Sequence, residues 1–311
     1  MNHRVEVMRY AGVFAENGHV LPFEVVGEHF ACFLEFFPGN GLNDLVTSAM
    51  LDAMGVSFAD AHRRAVANCI KEMVAPDKKS LWQIASGNDD IPECYVSNWD
   101  AMNHPAGIFN SEFANLPVRG KLLFFPISRE KLIITGTESE EGIRAAIDEW
   151  EENPYLLPPY GLIKDGEKFA IWTPPITNRA YADILAHRRL YANKVYGVQC
   201  EKMRAAMSES DVVFPAKYML GSTAENELRG RCTVTQGVEL TSLPEADFVH
   251  FIAMDDGGRN GRELGYLPWQ SMIELFGDAI ECDEKTYPKR FLFKGFPEQS
   301  LWQKLTLPEL V

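Results

Sequence analysis

Apolar positions are most regularly spaced between Lys121 and Glu152 (KLLFFPISREKLIITGTESEEGIRAAIDEWEE). Leu122 to Phe125 and Leu132 to Thr135 are short β-branched or aromatic runs. The polar Ser128-Arg129-Glu130-Lys131 between them has turn chemistry, which predicts a hairpin. Thr137 and Glu140 fit a capping box, with Glu140 and Glu141 placing negative charge where a helix start exposes free N–H groups. Ile143, Ala146, Ile147 and Trp150 then share one helical face, and Pro154 ends the run.

Upstream, Phe30 to Phe37 (FACFLEFF) reads as a buried strand, and Pro38-Gly39-Asn40-Gly41 breaks it before a helical stripe at Leu42, Leu45, Val46 and Ala49. Gly55 is the expected C-cap, and Ser57 with Asp60 starts a second helix through Met73. Leu81 to Ala85 and Cys94 to Ser97 read as strands, and Ile108 to Phe113 as a short helix. Downstream, Lys168 to Thr173 predicts a strand and Asn178 to Met207 a long helix. Val212 to Leu220, Arg229 to Thr235, Phe248 to Met254 and Leu264 to Leu267 predict strands, and Ser271 to Ile280 a helix. The aromatic residues Phe291, Phe293, Phe296 and Trp302 predict a packed tail.

Hairpins and strand runs outnumber any strand–helix alternation, so the expected class is α+β, with two lobes of mainly antiparallel sheet covered by helices. The proline-rich NPYLLPPY at Asn153–Tyr160 sets the expected boundary, giving lobes of residues 1–155 and 156–311. Both halves read as helix, two strands, hairpin, helix. AHRRAVAN at Ala61–Asn68 and AHRRLYAN at Ala186–Asn193 match locally, so a tandem duplication stands beside chance likeness of two amphipathic helices.

The helical wheel turns His62 toward Val66, Ile70 and Met73, and His187 toward Tyr191, Val195 and Val198, so both imidazoles are expected to point inward. Two readings follow: a hydrogen-bonded core histidine in each helix, or a catalytic pair across an interface between the lobes. In the second, mutual repulsion holds both rings neutral, and Arg63 and Arg188 are available to bind an anion. The loop Phe37–Asp44 has glycines between a strand and a helix but lacks the third glycine of a dinucleotide fingerprint, so a plain turn is expected. The acidic, glycine-rich Asp255–Gly261 reads as a hairpin connection rather than a metal or catalytic loop. The chain contains no nucleophile elbow, phosphate loop or zinc-protease helix, and neither a cofactor nor a metal is expected.

Composition narrows this further. The chain has 311 residues, 46% of them hydrophobic, which is enough for a substantial core. A formal charge of −14 argues against broad nucleic-acid or anionic-membrane binding and leaves a basic partner open. The six dispersed cysteines lack disulfide or zinc spacing, and no apolar run is long enough to span a bilayer, so a cytoplasmic protein with reduced thiols is expected. Cys69 and Cys200, beside apolar helix neighbours, are expected to be inert.

The strand FACFLEFF, the helix pair ending in IKEM, the strand YVSN and the segment GKLLFFPISREKLIITGTESEEGIRAAI together resemble a bacterial family of conserved hypothetical proteins, domain-of-unknown-function family 1444. The likeness covers about residues 30–150 and lies in the order of elements. It implies no catalytic residue, because that family has no assigned activity. The expected function is therefore a cytoplasmic bacterial interaction protein with an acidic surface, such as an adaptor, regulator or immunity-type inhibitor. The alternative is an enzyme, most naturally a hydrolase, with an inter-lobe site.

Overall fold

The computed structural model describes residues 2–9, 15–16, 19–27, 29–37, 44–73, 85–88, 91–97, 104–152, 157–166, 168–208, 212–223, 226–255, 260–283, 286 and 288–306. Over 2–9, 15–16, 19–20, 37, 72–73 and 85–88 it describes the backbone alone. The expected turn at Phe37–Asp44, most of the strand from Leu81 and most of the loop after Asp255 fall outside these residues. The fold is α+β, with mainly antiparallel sheets. It separates into two compact units, the first reaching Arg188 and the second beginning at Arg189.

The first unit contains strands β1 (Asn2–Arg9), β2 (Ala15–Glu16), β3 (His19–Val20), β4 (Glu24–Val26), β5 (Phe30–Phe37) and β6 (Asp44–Leu45). Helices α1 (Ser48–Met54) and α2 (Phe58–Met73) follow, then β7 (Ala85–Asn88), β8 (Ile91–Ser97), β9 (Leu122–Ser128) and β10 (Lys131–Gly136). Helix α3 (Glu140–Glu152), β11 (Gly161–Asp165) and β12 (Lys168–Trp172) follow, and two 3-10 helices, His104–Phe109 and Ser111–Asn115, lie between β8 and β9. The division falls inside α4 (Tyr181–Ala206), not at the proline-rich segment. The reason is pairing: β11 joins β9 through Leu162↔Phe124 and Ile163↔Leu123, so the β11–β12 hairpin extends the first unit's sheet, β12-β11-β9-β10-β8-β7.

The hairpin and helix read from Lys121–Glu152 are present, with Ile133 opposite Phe125 and Thr135 opposite Leu123. Gly136 closes β10 where the Arg119 carbonyl passes 2.0 Å from where a Cβ would stand, so only glycine fits there. The α3 cap differs from the expected Thr137–Glu140 box. Thr137 Oγ1 accepts the Lys121 N–H at 3.0 Å and fastens the hairpin base. The fully buried Ser139 caps the helix instead, its Oγ accepting from Gly142 N at 3.3 Å. Ile143, Ala146, Ile147 and Trp150 then pack against Leu123, Phe125 and Ile133. Likewise Asp44–Leu45, expected to be helical, pair with β5, and α1 begins only after the Thr47 cap. Its C-cap is Gly55, as expected, at φ 62°.

The second unit contains β13 (Val213–Pro215), β14 (Met219–Ser222), β15 (Leu228–Thr235), β16 (Leu240–Pro244), β17 (Phe248–Met254) and β18 (Gly261–Pro268). Helix α5 (Trp269–Phe276), β19 (Ile280–Asp283) and β20 (Arg290–Lys294) follow. Its two four-stranded sheets, β13-β16-β20-β19 and β14-β15-β17-β18, share one core: Leu243 and Phe293 from the first meet Val234, Val249, Phe251 and Leu267 from the second. Phe296 and Trp302 pack against that core, so the tail is anchored as expected. Each sheet contains one parallel pair, β13 with β16 and β15 with β17, whereas the six-stranded sheet of the first unit is antiparallel throughout. These topologies do not show a duplication. The first AHRR segment lies in α2, while the second runs across the division in α4.

Candidate binding surface

His62 and His187 both belong to the first unit but sit in different settings. The His62 side chain is 13% exposed, with Nδ1 3.2 Å from Glu24 Oε2 and the ring between Phe58 and Phe109 at centroid distances of 5.9 and 5.5 Å. Its Nε2 is buried and has no hydrogen-bond partner among the described residues. Ala61, Ala65 and Cys69 are the most buried residues of α2, so His62 flanks the apolar stripe instead of leading it. His187 is 12% exposed, 3.8 Å from Glu151 and 5.9 Å from the Trp150 ring, while Val198, expected on the same inner face, is exposed.

The arginines diverge as well. Arg63 stands in solvent and pairs with Asp60 at 3.0 Å. Arg188 donates through Nη2 to the Trp172 carbonyl and lies over the Tyr160 ring at 4.9 Å. Burial lowers its pKa.

Burial pushes both imidazoles below the ordinary 6.5, against the raising effect of Glu24 on His62 and of Glu151 and Asp183 on His187. Desolvation, not repulsion between the two rings, therefore keeps them neutral. The unfolded chain takes up protons first as pH falls. The stability contributed by the neutral rings is thus complete above 6.5 and is lost as pH falls through the lower folded values. Thermal melts from about pH 7 to about pH 5 should fall more steeply for the wild type than for His62→Gln or His187→Gln. Equal slopes would refute the burial account.

One catalytic-type pair escaped sequence reading because its members lie on separate elements. Ser97 Oγ is 2.6 Å from His104 Nδ1 and accepts the Leu132 N–H at 2.9 Å. Both residues are only 7% exposed, and His104 N donates to the Arg129 carbonyl. This arrangement ties the start of a 3-10 turn to β8 and β10. Burial pushes the thiols of Cys94 and Cys232 up to about 11 and about 12, which makes them poor nucleophiles. Among the described residues, no group of three or more His, Cys, Asp or Glu side chains converges as a metal site, and no helix is long and apolar enough to cross a membrane.

Charge lines two of the open pockets among the described residues, and these differ in how it is balanced. The one in the first unit, about 410 Å³, is largely self-neutralised: Arg144 pairs with Asp183 at 2.5 Å and Arg179 with Glu140 at 3.5 Å. The one in the second unit, about 360 Å³, lies where β13, β16 and β19 begin and β20 ends. Leu240 and Leu292 give it apolar walls, and Glu239, Asp278, Glu281 and Lys294 contribute its charge. Among the described residues, none of these four side chains has an ion-pair partner within 4 Å.

Beside this pocket, β13 pairs with β16 alone among the described strands, and on its other side the Pro215 carbonyl accepts from Cys200 Sγ at 3.4 Å and Arg204 Nη2 at 3.3 Å. Val212 is 59% exposed and Phe214 40% exposed, the latter under the Arg204 guanidinium at 5.1 Å. Exposed apolar side chains are a feature through which chains associate. Neither ELTSLP nor RFLFK is among the strands expected from the sequence, and it is the pairing of β16 with β20 that brings their charges together. No protein-family model, curated protein or solved structure matches the chain.

Proposed function

We propose that this chain is an interaction protein of the bacterial cytoplasm, acting as an adaptor, regulator or immunity-type inhibitor that binds another protein. The observation that carries the reading is the exposure of the apolar side chains of Val212 and Phe214 beside an open pocket, on a chain of formal charge −14. A partner's apolar side chains gain from burial against Val212 and Phe214, at about 25 cal/mol per Å² of apolar area removed from water. The excess acidity favours encounter with a basic surface.

The test is co-purification of the tagged chain from its own cells, alongside the double variant Val212→Asp/Phe214→Asp. A partner retained by the wild type and lost by the variant supports the reading. Repeated recovery of no macromolecule counts against it. The Ser97–His104 pair favours the hydrolase alternative on geometry alone. Labelling of Ser97 by a fluorophosphonate in the folded chain would move the assignment there.

A further inference from the structure

We infer that Arg188 anchors a site on the first unit for a small oxyanion, a carboxylate or a phosphate. This goes beyond the interaction reading and does not depend on it. The guanidinium lies over the Tyr160 ring at 4.9 Å, and His29 in turn stacks on Tyr160 at 4.0 Å with the ring planes 10° apart. Nη2 donates to the Trp172 carbonyl at the end of β12, so stack and bond together fix the plane of the head. Beyond that bond the head is unsatisfied. Nε is buried without an acceptor, whereas Nη1, also without one among the described residues, remains open to solvent.

Burying a cation in this state is costly, and the chain avoids it elsewhere. Arg290 has neutral acceptors on Nε, Nη1 and Nη2 alike, and Arg129, Arg144, Arg189 and Arg229 each have a carboxylate within 4 Å. Arg188 has neither arrangement. The ionisable groups that favour its charge are the phenols of Tyr160 and Tyr181, and no carboxylate is among them. Its missing acceptors therefore come from outside the chain. A water molecule can accept from Nη1 but brings no charge. An oxyanion does both, and the hydrogens left on Nη1 and Nη2 can meet two of its oxygens while the stack holds them in one plane. Arg63, the other arginine expected to take an anion, stands in solvent against Asp60 and has no such need.

The experiment follows the Arg188 Nε–H signal by proton–nitrogen NMR in the isotope-labelled full-length chain, titrated with sodium phosphate and with sodium succinate while chloride holds the ionic strength constant. Its absence from Arg188→Gln assigns the signal. Phosphate or succinate should shift it saturably, and chloride should not. At about tenfold the apparent Kd, the same anion should raise the melting temperature by about 3 °C. In buffer free of both anions, Arg188→Gln should melt within about 2 °C of the wild type or above it, because the substitution removes an unbalanced buried charge, and it should lose the anion-dependent rise. Arg188→Lys keeps the charge without the planar head and should bind at least about tenfold more weakly. Tighter binding of succinate supports the site with a carboxylate as its ligand, and tighter binding of phosphate supports it with a phosphate. A signal that moves with neither anion, or as much with chloride, would overturn the assignment. So would a rise in melting temperature undiminished in Arg188→Gln, which places the anion elsewhere. An Arg188→Gln variant as destabilised as Arg290→Met would show that the guanidinium serves the fold alone, and it overturns the inference too.

Discussion

Replacing Arg290 with methionine should destabilise the second unit by about 4 kcal/mol or more, enough to unfold it at ambient temperature if its stability is of ordinary size. Arg290 is fully buried at the start of β20 and has no carboxylate within ion-pair distance among the described residues. Neutral acceptors satisfy it instead. Nε donates to Ser242 Oγ at 2.9 Å, Nη1 to Gln199 Oε1 at 3.1 Å, and Nη2 to the Ser242 carbonyl at 2.7 Å and to the Ala216 carbonyl. The guanidinium also lies over the Tyr196 ring at 5.7 Å. Tyr196 and Gln199 reach on to the Lys289 and Pro288 carbonyls, so one cation organises the contact of α4 with β16 and β20.

Burial lowers the Arg290 pKa, which is the cost of placing a charge there, yet removing it is worse because several buried acceptors lose their donors together. Lysine keeps the charge but cannot fork to all of them, so Arg290→Lys should lose about half as much as Arg290→Met. Urea unfolding followed by hydrogen exchange at β16 and β20 checks this. A methionine variant within 1 kcal/mol of wild type would show that the acceptors find other donors.

Arg290 also illustrates where sequence reading stops. In RFLFK the alternation directs Phe291 and Phe293 one way and Arg290 the other, and a charged residue on the second face is normally assigned to solvent. Here α4 covers that end of the face, a pairing across about ninety residues that no local pattern encodes. The pocket at Leu240 and Leu292 lies at the opposite end of the same strands. Its charges come from β19, β20, the residue before β16 and a 3-10 turn, elements that the sequence reading did not identify.

Local signals served well where the structure is local. The β9–β10 hairpin, the apolar face of α3 and the Gly55 cap are all present. The α3 start shifted because Thr137 was taken by the hairpin, a tertiary use of a residue that the motif assigns to the helix. β11 was missed because flanking prolines suggested a boundary, although its pairing with β9 makes it part of the first unit. The histidine stripe was half right: both rings are mostly buried, but each belongs to its own packing arrangement.

The largest effect expected in the first unit comes from Trp150, whose replacement by alanine should cost about 3–5 kcal/mol. The ring is almost fully buried on α3, edge-on to Phe125 at 5.4 Å and tilted against His187 at 5.9 Å, and Phe125 in turn meets Trp172 at 6.4 Å. Truncation opens a cavity where the helix meets the sheet. Phenylalanine is a sharper comparison, because the indole Nε1–H is buried without a hydrogen-bond partner among the described residues. Trp150→Phe loses volume but removes that unpaired donor, so its cost should be only about 1–2 kcal/mol. The ring also excludes water from His187, and burial is the leading cause of that imidazole's lowered pKa. In folded Trp150→Ala, the His187 titration followed by NMR should therefore move back toward 6.5, while in Trp150→Phe it should move little. Equal stability losses in the two variants, or an unmoved His187 titration in the alanine variant, would show that neither the orphan N–H nor the indole cover acts as argued.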